Sequence, residues 1–342
     1  MKRLINAPGL RLGLAWILLA APAVSWANIG PDVITADLYQ TKHWGAADGI
    51  DAYSIGTISC NAGDEPLLWQ SWDNQRPVIA QHIYRLKDDK FEQLGQSWCK
   101  WAFTSLNQDF CGDCQDPGTG SLLGVNCSDP YSASLNGSQS GLGPKSIINP
   151  FIGDFPASHP TPGTGTIAGR VQVATEEIDP NLNEGALYFI EGQYVSPDDA
   201  AAGNLHNNAS YRQVWVESDR DLTFNNPDGG TSQTIREKPA IYAWFDTDPA
   251  VALTIIDVPG DGRFLLAWKA SLSAGLLRDV EIAIQNLNSD RALEAFTVML
   301  PEGTEVGSTG FHDVDYHSGE PFDGTDWGTT VTSHILPWAA KA

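Results

Sequence analysis

The sequence predicts an all-β protein, mainly an antiparallel sandwich, with a loop-rich and disulfide-stapled N-terminal region. Three observations carry this expectation. From Thr166 onward, short apolar and β-branched runs are separated by turn residues at close intervals. Only one segment carries both helix-start and helix-stop residues. Four of the five cysteines, Cys60, Cys111, Cys114 and Cys127, sit beside turn residues in or near a stretch dense in Gly, Ser, Pro, Asn and Asp.

Residues 1–27 read as a signal peptide. Lys2, Arg3 and Arg11 form a basic start, Leu12 to Val24 is an apolar run, and Ser25-Trp26-Ala27 supplies the small residues of a cleavage site. The run is too short to span a bilayer comfortably. Removing it takes the formal net charge from −22 to −25. That charge repels phosphate backbones and anionic membranes, so nucleic acid and, after cleavage, membrane are not expected as partners. Divalent cations and extracellular glycans are. In an oxidising compartment the cysteines should pair. Two disulfides are expected among Cys60, Cys111, Cys114 and Cys127, in any of three connectivities, with Cys99 a buried thiol in the apolar run Trp98-Cys99-Lys100-Trp101.

Residues 28–165 form the loop-rich region, with strand-like runs at Ala52–Ile58 and Pro77–Leu86. Residues 112–165 are irregular for longer than a compact protein usually tolerates without a staple or a function. Residues 166–342 form the β-sandwich region. Strands are expected at Ile167–Val173, Gly185–Val195, Tyr211–Val216, Ala240–Phe245, Ala250–Val258, Arg263–Ala270, Asp279–Gln285 and Ala295–Leu300. Asn288–Arg291 and Pro301–Gly303 read as turns. Ser196-Pro197-Asp198-Asp199-Ala200-Ala201-Ala202-Gly203 reads as a helix, with a serine cap, proline at the first position, acids in the first turn and glycine at the end.

The densest collection of ligand-type side chains is Gly310–Trp327, with two of the seven histidines and five carboxylates. His312, Asp313, Asp315, His317 and Glu320 are the candidate metal ligands. The two histidines suit zinc, and the carboxylates alone suit calcium. If Phe311–His317 is a strand, Asp313, Asp315 and His317 share one face and His312 the other. The outer two of that trio would then lie roughly 13 Å apart, so a bend is needed to gather them. The competing reading is a loop closed by Asp and His bonding to nearby backbone. His206 reads first as a hydrogen-bonded structural residue. Cys111-Gly112-Asp113-Cys114 has redox spacing, but Gln115-Asp116-Pro117-Gly118 cannot open the helix that lowers a thiol pKa, so a structural cystine is favoured over a Cys₄ zinc site. No nucleophile elbow, P-loop or dinucleotide fingerprint is present.

Several strings together resemble a family of secreted bacterial proteins of unassigned function. They are Ser59-Cys60-Asn61, Pro77-Val78-Ile79, Phe91–Trp98, Pro117–Gly124, Cys127-Ser128-Asp129-Pro130-Tyr131, Asn286–Arg291 and Gly310–Trp327. The resemblance spans nearly the whole mature chain and implies no reaction. It also implies histidines before Pro-Val-Ile and after Trp-x-Lys, where this chain has Arg76 and Trp101; His82 is the nearest substitute. The chain ends soon after Trp338 with no anchor or sorting signal, so a released or periplasmic protein is expected.

Three functional readings follow. The first is a non-catalytic exported β protein whose acidic loops hold a divalent cation. The second is a metal-dependent hydrolase of an extracellular polymer, with His312 or His317 on the metal and Asp313 or Glu320 as general base. The third is a glycan-binding module using exposed tryptophans.

Overall fold

The computed structural model describes residues 28–272, 278–314, 320–322, 325–329 and 335–339. The expected signal peptide, Asp315 and His317 lie outside the described residues. The chain opens with a long hairpin, β1 (Val33–Ala47) and β2 (Ile50–Asn61), then β3 (Leu67–Leu68). A second hairpin, β4 (Val78–Lys87) and β5 (Lys90–Gln96), leads to β6 (Cys99–Trp101). The irregular connection carries β7 (Leu122–Leu123), β8 (Ser128–Tyr131), helix α1 (Ala133–Asn136) and β9 (Leu142–Gly143). Next come β10 (Val171–Ala174), α2 (Thr175–Ile178), β11 (Leu187–Val195), α3 (Pro197–Ala202), β12 (Ala209–Val216) and β13 (Leu222–Thr223). Helix α4 (Ile241–Thr247), β14 (Ala252–Asp257), β15 (Arg263–Leu272) and β16 (Arg278–Asn286) follow, before β17 (Ala295–Met299), β18 (Gly328–Thr329) and β19 (Ile335–Ala339).

The expected antiparallel sandwich is present. One sheet runs β1-β2-β10 with β8 beside β2, and the other runs β13-β12-β11-β4-β6-β9 with β5 beside β4. Position 165 does not separate two sheets. Strand β4 pairs β11 from Val78 opposite Val195 to Leu86 opposite Leu187, and β10 pairs β2, so both regions build the same sandwich. The early region is also less loop-rich than its composition suggests, because β1 and β2 alone hold 15 and 12 residues.

Strand β4 is central and buried on both faces. Alternation sends Ile83 toward Leu38, Tyr53, Ile55, Ile190 and Val214 between the sheets. The opposite set, Val78, Ala80, His82 and Tyr84, faces a third layer that sequence reading does not anticipate. Trp244 and Ile241 of α4, Leu265 and Ala267 of β15, and Leu287 form one part of it, and Ile148 and Phe155 another. Fully burying an aromatic or aliphatic side chain here contributes about 1.5–3 kcal/mol.

Residues 241–245 of the expected strand at Ala240–Phe245 are therefore helix, with Ala240 at its cap. Their aromatic composition suggests β structure, but Ile241 and Trp244 sit three apart on one buried face. The expected strand at Ile167–Val173 shortens to Val171–Ala174, because Ile167–Arg170 is a turn in which Arg170 N–H donates to Ile167 O at 3.2 Å, with Gly169 at φ 73°. Helix α3 lies where expected and ends on Gly203 at φ 86°. Ser196 does not cap it directly. Its hydroxyl donates to Asp198 Oδ1 at 2.6 Å, and that carboxylate accepts from Asp199 N–H at 3.1 Å.

The cysteines pair as Cys60–Cys111 and Cys114–Cys127, and Cys99 is a buried thiol. The two bridges close separations of 51 and 13 residues. Chain-entropy arguments assign these loops about 4 and about 3 kcal/mol. Cys60–Cys111 pins the start of the irregular stretch to β2, and Cys114–Cys127 closes a loop within that stretch.

Candidate functional site

At the middle of the central sheet, on its third-layer face, lies a row of buried polar groups. His82 and Glu191 are cross-strand neighbours on β4 and β11, and His82 Nδ1 stands 2.8 Å from Glu191 Oε1, close in distance but imperfectly aligned. The Glu191 carboxylate also accepts from Tyr84 Oη (3.2 Å), Gln285 Nε2 (2.9 Å) and Ala240 N–H (2.5 Å). Burial pushes Glu191 upward, but His82, Ala240 and Gln285 outweigh it and hold the carboxyl below its usual range. On the other side of the imidazole, Lys145 Nζ lies 2.7 Å from His82 Nε2. An ammonium can only donate, so Nε2 accepts and the ring proton sits on Nδ1, toward Glu191. Burial, and then the Lys145 charge, hold His82 below the usual histidine range. Burial also lowers Lys145 and pushes the Cys99 thiol up to about 12, which leaves that thiol inert.

The Gly310–Trp327 segment is fastened to this region. Glu320 accepts from Lys145 N–H at 2.8 Å and Ser146 N–H at 3.4 Å, fixing the turn at 145–147. His312 Nε2 donates to the Gln93 carbonyl at 3.2 Å, Asp313 Oδ1 accepts from Val314 N–H at 2.8 Å, and Phe311 stacks on Trp327 at 5.1 Å. Residues 311–314 are not strand. Each described candidate ligand thus has a backbone bond, as a closed loop requires, and the segment straps the third layer to β5. Among the described residues no group of three or more His, Cys, Asp or Glu gathers as a metal ion would need.

The turn that Glu320 fixes begins one wall of an open cleft of about 490 Å³. Ser146, Asn149 and Asp154 lie on that wall, Asn74 and Asp290 complete the polar lining, and Ile147, Phe155 and Pro156 supply apolar surface. Local bonds preset the polar groups. Asn149 Oδ1 accepts from Phe151 and Ile152 N–H at 3.0 and 3.1 Å, and Asn149 N–H donates to Asp154 O at 2.9 Å. Asn74 Nδ2 donates to Asp154 Oδ1 at 2.7 Å. Asp290 N–H donates to Asp261 Oδ1 at 3.1 Å, and the adjoining Asn288 Nδ2 donates to Leu205 O (2.8 Å) and His206 Nδ1 (3.0 Å). His206 is the structural residue expected, and what it steadies is the turn carrying Asp290. Two residues before Asn74, Trp72 is 69% exposed.

Behind the cleft, Phe155 and His159 pack on Trp101 at 4.1 and 4.2 Å, and the Arg76 guanidinium lies 5.8 Å from the same ring. The two positions that depart from the resembled pattern are therefore spatial neighbours. An aromatic–cation stack occupies the place where a histidine pair was implied.

The cleft residues escape sequence reading because Asn74, Asn149, Asp154 and Asp290 are ordinary turn residues scattered over the chain. The recognisable signal was the Asn286–Arg291 string. The CxxC motif is structural, as expected, with each cysteine bonded to a different distant partner. No helix among the described residues is long and apolar enough to cross a membrane. No protein-family model, curated protein or solved structure matches the chain.

Proposed function

We propose that this chain is an exported bacterial β protein, of the kind its sequence strings resemble, that binds a neutral or amine-bearing extracellular saccharide in the cleft bounded by Asn74, Asp154 and Asp290. The cleft carries the reading. Its volume falls in the range of small-ligand sites. Prearranged carboxylate and carboxamide groups beside an apolar wall suit a molecule with hydroxyls on its edge and C–H groups on its face. Trp72 offers a ring for the next sugar unit. The net charge of −22 disfavours polyanionic glycans. Binding is favoured over hydrolysis at this cleft because none of the described histidine–carboxylate pairs, His82–Glu191, His43–Asp51 and His43–Asp221, lines it.

The test is a screen of neutral, amino and acidic oligosaccharides followed by titration calorimetry. A neutral or amino sugar should bind. Asp154→Ala with Asp290→Ala should weaken it at least tenfold, the effect of losing one charge-assisted hydrogen bond, with melting unchanged. Failure of all such sugars to bind, or binding indifferent to the double substitution, would refute the proposal.

A further inference from the structure

Away from the cleft, where β1, α3 and the start of β12 meet, four side chains present more oxygen than the protein satisfies. Asp32 and Asp199 are fully buried, and Asn208 is 2% exposed. Asp32 Oδ2 accepts from Asn28 Nδ2 at 2.5 Å and Asn207 Nδ2 at 3.1 Å. Asp199 Oδ1 accepts from Val33 N–H at 3.0 Å, and its Oδ2 accepts from Asn208 Nδ2 at 2.8 Å. Three acceptors remain buried with no donor: Asp32 Oδ1, Asn207 Oδ1 and Asn208 Oδ1. Asp199 Oδ1 holds the N–H of Val33, the residue next to Asp32, so the two carboxyl groups are close neighbours.

Two carboxylates that close cannot both stay ionised unless a positive charge lies between them. A shared proton would supply it, and burial does push Asp199 up to about 8. One proton serves only the carboxyl pair, however, and leaves both carboxamide oxygens unsatisfied in a buried site. A hard cation satisfies all of them, since carboxylates and amide oxygens are the ligands such ions select. We propose that Asp32, Asp199, Asn207 and Asn208 form a site for a divalent cation of the calcium class. With no histidine or thiolate in the set, zinc and copper are poor occupants. The ion ties the start of β1 to α3 and to β12, segments some 170 residues apart, as the Asp32–Asn207 separation of 175 shows. The site is independent of Gly310–Trp327 and of the saccharide cleft.

The experiment strips the protein with chelator and titrates calcium chloride at pH 7 in two buffers of different ionisation heat. Binding of one equivalent is expected, and the two buffers separate the heat of binding from that of any proton exchanged. Melting should rise by about 5 °C at 100 times the dissociation constant. Asp32→Asn and Asp199→Asn should each abolish binding, and Asp154→Ala should not. Calcium without heat, proton release or effect on melting would overturn the proposal, and a stabilised Asp199→Asn would then identify a shared proton. Calcium binding retained in both variants would equally overturn it, by placing the ion elsewhere. Should the variants fail to fold, the two-buffer titration of the unaltered protein still decides.

Discussion

Replacing Glu191 by alanine tests whether the buried polar row organises the central sheet and its third layer. The carboxylate takes hydrogen bonds from Ala240 N–H, Gln285 Nε2 and Tyr84 Oη, and pairs with His82 Nδ1. After truncation, Gln285 Nε2 can still donate to Tyr84 Oη at 3.1 Å, but the Tyr84 O–H loses the carboxylate it donates to. Ala240 N–H likewise loses its acceptor, and His82 Nδ1 loses the charge it stands beside. Two buried donors left unmade at about 1–3 kcal/mol each give an expected loss of about 3–5 kcal/mol, the cost of breaking a buried pair from one side. Urea unfolding followed by tryptophan fluorescence reads this as a lower midpoint with an unchanged slope. Tyr84→Phe should cost only about 1 kcal/mol. A loss below about 1 kcal/mol for Glu191→Ala would refute the argument that this carboxylate holds α4 against the sheet.

Reduction of both disulfides should destabilise the protein by a few kcal/mol and expose the 102–170 region to protease first, and melting unchanged by reductant would contradict the stapling argument. Stability in the absence of calcium should fall as pH rises from about 4 to 8. The reason is that Asp129 and Asp199 are pushed by burial up to about 7 and about 8, while their unfolded values lie near 3.9. Native protein thus holds protons that the unfolded chain releases, and the contribution is lost as pH passes the folded values. Asp129→Asn should flatten this slope, and saturating calcium should remove the Asp199 part. A slope unchanged by both would show that neither carboxyl is protonated in the fold.

How much of this was legible follows from how each element meets its neighbours. Strands such as β11 and β15 could be read because apolar and β-favouring residues are dense along them and their pairing runs without a register shift. Strand β1 could not, although it is the longest. Its pairing with β2 shifts register between Thr35 and Asp37, Leu38 and Gln40, and His43 and Ala46, and each shift breaks the two-residue period. Helix α4 was misread because tertiary contacts override the β preference of Ile, Tyr, Trp and Phe. The disulfide set and the buried Cys99 were readable from the company each cysteine keeps, but the connectivity was not.

The Gly310–Trp327 segment stands out in the sequence as the densest run of ligand-type side chains. Within it, His312, Asp313 and Glu320 bond to backbone, and Glu320 thereby fixes the 145–147 turn. The cation site was invisible for a different reason. Asp199 reads as an ordinary first-turn acid of α3, and only the fold brings it to Asp32 and buries both. The same holds for Asp154 and Asp290, which lie on one cleft although 136 residues apart in the sequence.

The most direct test of the central claim is amide hydrogen exchange of the unaltered protein, with and without the tightest-binding neutral or amino oligosaccharide from the screen. Added protection is expected, confined to residues 146–157, the loop around Asn74 and the turn around Asp290. Protection that appears instead around 311–322, with the cleft unchanged, would contradict it.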